Sequence, residues 1–358
     1  MENVVHQTNS EAPKQVVKKP RIEWLDVAKF LGILLVFVAH GVYIEETELY
    51  RALYRGIIYS FHMPLFFIVS MMTTSLSDSK QSFIKKTKKR AIHLLIPFVI
   101  MWVVYTFIDI FYFKTNLSYS NWWGEHIARL FGFEYADYLY SGPAWFFMAL
   151  FVGQSVFDFL HLLLKRDSYL FVATFALTVI GVGLGLTSFR YPFTLDMALS
   201  SLLFFFVGYK LKTYNFEKNQ LLRFILLLII WAGTLLLTWP NFLNPTYYEV
   251  WYRRYTLFPV CIICAICGTM AFLYLVKWFC KIPYLYKPLA FVGRWTLVLV
   301  MVHALHQFYF IYWFNLFPDN FRLSYYANGL LGLGISLVVI AVIYLVKFII
   351  KRTRRKTV

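Results

Sequence analysis

The chain has 358 residues, of which 60% are hydrophobic and 15% charged, and its formal net charge is +17. Soluble domains hold about 45–50% apolar and about 25% charged residues, so this composition excludes an ordinary soluble fold and leaves a polytopic membrane protein. The positive charge belongs to membrane topology, not to nucleic-acid binding, because the chain offers no soluble basic domain to bind with.

The 37 Phe, 26 Tyr and 11 Trp suit lipid-facing and interfacial positions. Residues 1–20 are polar, include Lys14, Lys18 and Lys19, and lack the apolar core and small-residue cleavage site of a secretory signal. They are expected to form a disordered cytoplasmic tail, with the first span retained as a signal anchor.

That span, about 24–44, carries Asp26, Lys29 and His40 among apolar residues. Lys29 and His40 lie eleven positions apart, which returns to nearly the same helix face and covers about 16 Å of depth. Asp26, three before Lys29, shares that face. A charge inside a spanning helix costs about 2.5–3.5 kcal/mol on insertion scales, so this polar stripe is expected to point into the bundle and serve a function.

The following spans are placed near 53–75, 91–113, 143–164, 168–188, 194–211, 220–239, 256–277, 288–313 and 326–349. The expected fold is therefore all-α, a transmembrane bundle of about ten helices. With the N-terminus inside, 25 of the 35 basic residues fall on the cytoplasmic side and 8 on the outer side. This asymmetry predicts cytoplasmic termini and an even number of spans. Residues 21–350 read as one membrane domain and 351–358 as a basic cytoplasmic tail.

The second span contains His62, then Pro64, whose missing N–H loosens the helix beside it. His62 reads either as a tie on that kink or as a catalytic group. Before the third span runs Lys85-Lys86-Thr87-Lys88-Lys89-Arg90, with His93 and Pro97 beyond. Such runs fix topology and touch anionic lipid; a further role with the phosphates of a nucleotide-like donor is open. Gly181, Gly183 and Gly185 lie in an apolar span, where close helix packing explains them better than phosphate binding. Cys261, Cys264, Cys267 and Cys280 read as small core residues, and no metal is expected. The long outer loops, about 115–142 and 240–255, are rich in Trp, Tyr and Asn. Such side chains bind sugars and also build interfacial belts. The ninth span has Arg294 at the depth of Lys29, with His303 and His306 farther out.

A depth pattern results. Lys29 and Arg294 at the cytoplasmic mouth suit a phosphate-bearing donor. His40, His62 and His303 farther out suit proton transfer to a hydroxyl acceptor from outside.

Arg21-Ile22-Glu23-Trp24-Leu25-Asp26-Val27-Ala28-Lys29 followed by His40-Gly41 resembles the opening of the integral-membrane acyltransferase family three. Phe61-His62-Met63-Pro64-Leu65-Phe66-Phe67 with Ser70 looks like its fucose 4-O-acetylase-like branch. Gly142-Pro143-Ala144-Trp145-Phe146-Phe147, Leu203-Phe204-Phe205-Phe206-Val207-Gly208-Tyr209 and the segment 293–303 extend the likeness to about residue 310. Lys29 stands where much of the family has Arg, and Met71 where a Gly is usual.

The resemblance implies a ten-helix enzyme of the cell membrane that moves acetyl groups from cytoplasmic acetyl-CoA to hydroxyls of an extracytoplasmic glycan. It makes His40 the essential histidine and Lys29 its basic partner. The expected catalytic set is His40, Lys29, Asp26, His62 and His303. The expected donor-binding set is Arg294, Lys85, Lys86, Lys88, Lys89 and Arg90. Expected partners are acyl-CoA, a surface or lipid-linked glycan, the bilayer and, as a further candidate, a second copy of the chain. An exporter or flippase without acyl-transfer chemistry, and a non-catalytic membrane scaffold, are the competing readings.

Overall fold

The computed structural model describes residues 21–41, 56–111, 130–131, 144–237, 248–303 and 321–356. Helix α1 spans Glu23–Gly41, α2 His62–Thr73, α3 Lys80–Phe111, α4 Ala144–Leu163 and α5 Asp167–Gly185. A 3-10 turn at Pro192–Thr194 leads into α6, Leu195–Ser200, and α7, Leu202–Leu211. Then come α8, Gln220–Leu237, a hairpin of β1, Tyr248–Glu249, and β2, Arg254–Tyr255, and α9, Val260–Phe279. Helices α10, Pro283–Gly293, α11, Thr296–His303, and α12, Phe321–Lys356, complete the described chain.

The protein is thus an all-α membrane protein. Six described helices are long and apolar enough to cross a membrane, or eight if each of two bent pairs counts as one span. Few residues in the apolar windows of α8 and α12 are buried, 6% and 11% of them, so both helices pack on the bundle, α8 on α9 and α12 on α1, and turn much of their surface outward, as lipid-facing helices do. Residues Gly56–Thr73 are 78% buried and form the centre. Against that centre lies α1, which also touches α9, α10 and α12.

Two expected straight spans are broken. Pro192–Ser200 and Leu202–Leu211 bend by 56° at Ser201, and Tyr284–Gly293 and Thr296–His303 bend by 68° at Arg294 and Trp295. Discontinuous helices in a membrane leave backbone polar groups that only protein or a wet cavity can satisfy. Arg294 therefore stands at a hinge, not within a continuous helix.

Glycines mark the closest approaches. A Cβ on Gly181 would meet Ser200 N at 2.2 Å, and one on Gly185 would meet the Tyr255 ring at 2.9 Å. These two serve helix packing, whereas a Cβ on Gly183 would meet nothing within 4 Å. Cys261, Cys264 and Cys267 are buried as free thiols on α9. Among the described residues no group of three or more His, Cys, Asp or Glu could hold a metal ion. Most of the aromatic outer loops, the tail at 1–20 and His306 lie outside the described residues.

Gly181→Ala should destabilise the detergent-purified protein by roughly 1–3 kcal/mol through overpacking. Gly183→Ala should leave it equal or slightly more stable, since Ala is the better helix former. Thermal unfolding of the two variants side by side checks the contrast.

Candidate active site

Helix α1 opens with two acids, Glu23 and Asp26, where the positive end of the helix dipole favours them. Asp26 is also the anchor for two cations. Arg21 donates to it through Nε at 2.5 Å and Nη2 at 3.0 Å, and Lys29 Nζ donates at 2.7 Å. The Asp26 side chain is 3% exposed and Lys29 22% exposed, so the carboxylate is enclosed while the ammonium keeps one side open. The hydrogen bond to Asp26 also pushes the Arg21 pKa further above its usual value.

The hinge between α10 and α11 closes on the same turn. A Cβ on Gly293 would lie 1.9 Å from the Asp26 carbonyl oxygen, so only glycine permits this contact. The adjoining Arg294, 40% exposed, reaches Glu23 Oε1 through Nη2 at 3.3 Å. Trp295, next along, lies under Lys347 of α12, whose Nζ is 4.7 Å from the ring centroid. The structure thus brings Asp26, Lys29 and Arg294 to one end of the bundle.

Higher on α1 the neighbours are histidines. His303, 2% exposed, has its ring centroid 4.3 Å from that of Phe37. Phe37 lies three residues before His40 on α1, about 4.5 Å along the axis. The helix places His40 in its last turn; the side chain of His40 lies outside the described residues. His62, 5% exposed, has Nδ1 3.1 Å from the carbonyl oxygen of Ile58 and stacks obliquely on Tyr59, with centroids 4.8 Å apart. Leu35 of α1 packs on Ile58 and Tyr59, which sets His62 close to that level. Ser70 bonds the Phe67 carbonyl at 2.8 Å, so it does not serve the carbonyl that Pro64 leaves free.

The basic run divides. Arg90, 9% exposed, donates to Asp158 at 2.6 Å, and Asp158 also accepts from Ser77 N at 2.7 Å and Ser77 Oγ at 2.8 Å. Lys86 Nζ caps the Leu76 carbonyl at 2.5 Å. These two cations staple the turn between α2 and α3 to α4. Lys85, Lys88 and Lys89 are exposed on α3. His93, one turn beyond Lys89, lies within electrostatic reach of both Lys89 and Lys29. Sequence reasoning passed His93 over as a site residue, although its i, i+4 spacing from Lys89 carried the signal.

One end of the bundle therefore collects Lys29, Arg294, Lys89 and His93, and α1 leads from there to the histidines. A family model described as an acyltransferase domain, acyltransferase family three, matches residues 22–348. The chain belongs to that family. Its activity is accordingly acyl transfer. No curated protein and no solved structure matches the chain.

The division of the basic run is testable in this acyltransferase. Arg90→Ala strands a buried carboxylate and should cost about 3–5 kcal/mol. Lys88→Ala should change stability by no more than about 0.5 kcal/mol. Membrane abundance and thermal unfolding of both variants measure the difference.

Proposed function

We propose that this acyltransferase moves an acetyl or other short acyl group from cytoplasmic acyl-CoA, acetyl-CoA foremost, to hydroxyls of an extracytoplasmic cell-surface glycan. The reading assigns it to the fucose 4-O-acetylase-like branch and to the cell membrane, with ten spans and both termini in the cytoplasm. The single observation that carries it is the order of groups along α1. Asp26 holds Lys29 at the end where Arg294 also stands, and His303 lies against Phe37 near the end where His40 stands. The charge bias of the loops supports placing the first end in the cytoplasm.

In this mechanism Lys29 and Arg294 take the donor phosphates, aided by the exposed Lys85, Lys88 and Lys89 and by His93. Asp26 holds Lys29 in place. The pantetheine arm carries the thioester towards His40. There the acceptor hydroxyl gives its proton to His40 while its oxygen bonds the acyl carbon; the C–S bond breaks and the proton passes to the departing thiolate. Attack by His40 itself, with an acyl-histidine intermediate, uses the same geometry. His62 and His303 orient the acceptor side. Arg90 and Lys86, held at Asp158 and Leu76, are left as structural members of the donor end.

His40→Ala, at normal membrane abundance, should abolish acylation of surface glycans as read by mass spectrometry against cells lacking the protein. Full acylation in that variant would sink the mechanism. Glycan accumulating inside the cell, still acylated, on loss of the protein would instead support the exporter.

A further inference from the structure

The end of α5 remote from the donor cluster carries a second charged assembly. The start of α5 is tied to α7 by Lys210 and Asp167, 2.7 Å apart, at the cytoplasmic side of the proposed topology. Past the other end, Arg253 Nη1 donates to the Phe189 carbonyl at 2.8 Å, while its Nε lies 2.7 Å from Asp196 Oδ2. Asp196 is fully buried in the first turn of α6, directly after Phe193 and Thr194 at φ 57° and 50°. Arg253 is buried too and has φ 57°.

Left-handed backbone at three non-glycine residues and a buried ion pair are both costly, and an apolar pair of equal volume would hold the chain at least as well. What the pair secures is position. It clamps the hairpin β1–β2 to the broken helix α6–α7. Tyr248 and Tyr255, opposite each other in register, face inward: Tyr248 Oη donates to the Ser200 carbonyl at 2.5 Å and Tyr255 Oη to Ser200 Oγ at 3.2 Å.

The other face of the hairpin is open. Tyr252 is 45% exposed and the Arg254 side chain 60% exposed, with the guanidinium carbon 5.1 Å from the Tyr252 ring centroid. Behind them Glu249, its side chain 15% exposed, lies 3.9 Å from Arg254, and Trp251 packs on the core against the buried Trp145, with ring centroids 6.0 Å apart. Cations on the outer side oppose the bias that orients the chain, so topology does not explain Arg253 and Arg254 there.

We propose that this hairpin face is the acceptor-sugar subsite. The sugar's C–H face lies on Tyr252, and its hydroxyls bond the Arg254 fork. Asp196 and Arg253 are positioning residues that hold the face in place. The assignment rests on the acceptor being an extracytoplasmic glycan.

The test uses surface glycan stripped of O-acyl groups by mild alkali, titrated onto the full-length protein in detergent without acetyl-CoA. Tyr252→Ala and Arg254→Ala, both at exposed positions, should each weaken glycan binding at least tenfold. Asp196→Asn should weaken it in the same direction; if that variant does not fold, the two surface variants still decide. Equal binding by both surface variants, as an interfacial aromatic belt would give, overturns the proposal, and so does a wild-type protein that binds no glycan. Acetyl-CoA is then added to the wild-type complex. Glycan that is bound but never acetylated would overturn the reading of that glycan as the acetyl acceptor and leave the hairpin as a glycan-binding face only.

Discussion

Asp26 is the point on which the arrangement of α1 depends. Its carboxylate holds Arg21 and Lys29, and its backbone carbonyl receives the bare Cα of Gly293. One residue thus fixes a cation on its own helix and admits the α10–α11 hinge close enough for Arg294 to reach Glu23. Removing a partner from such a network leaves uncompensated charge at a membrane boundary, which is why the cost of Asp26 inside an apolar helix is tolerated. Asp26 was the least interpretable member of the stripe in sequence. In the structure it is the one that holds Lys29 in place and receives Gly293.

The rest of the molecule repeats this use of a buried acid as a fixed point. Asp158 gathers Arg90 and Ser77, locking the turn that joins α2 to α3. Asp196 holds Arg253 and fixes the hairpin on the opposite side. Asp158 and Asp196 each sit on a helix and bind a cation from elsewhere in the chain, whereas the partners of Asp26 are local. Around these fixed points the apolar windows of α8 and α12 that face outward carry at most two charged residues each.

The sequence made the start of α1 legible because a spacing of three residues is a statement about one helix face, and the Asp26–Lys29 pair keeps that face in the fold. Helical packing of Gly181 and Gly185 was legible for the same reason. The two broken spans were not. Their hydropathy is continuous, and the break at Arg294 arises where α10 meets the Asp26 carbonyl, a contact between residues far apart in the chain. The double nature of the basic run was hidden likewise. Nothing local to Arg90 or Lys86 distinguishes them from Lys88; their partners, Asp158 and Leu76, are supplied by other segments. The pairing of Asp196 with Arg253 depends on a hairpin too short to show as a strand pattern. Three-dimensional neighbours decide which charges are structural, and those neighbours are what a linear pattern lacks.

The central claim is that α1 separates donor binding at one end from chemistry at the other. Equilibrium binding of radiolabelled acetyl-CoA to purified Lys29→Gln and His40→Ala variants tests it most directly. Lys29→Gln should lose at least tenfold in affinity, and His40→Ala should bind the donor as the wild type does. Undiminished binding by Lys29→Gln together with lost binding by His40→Ala would contradict it.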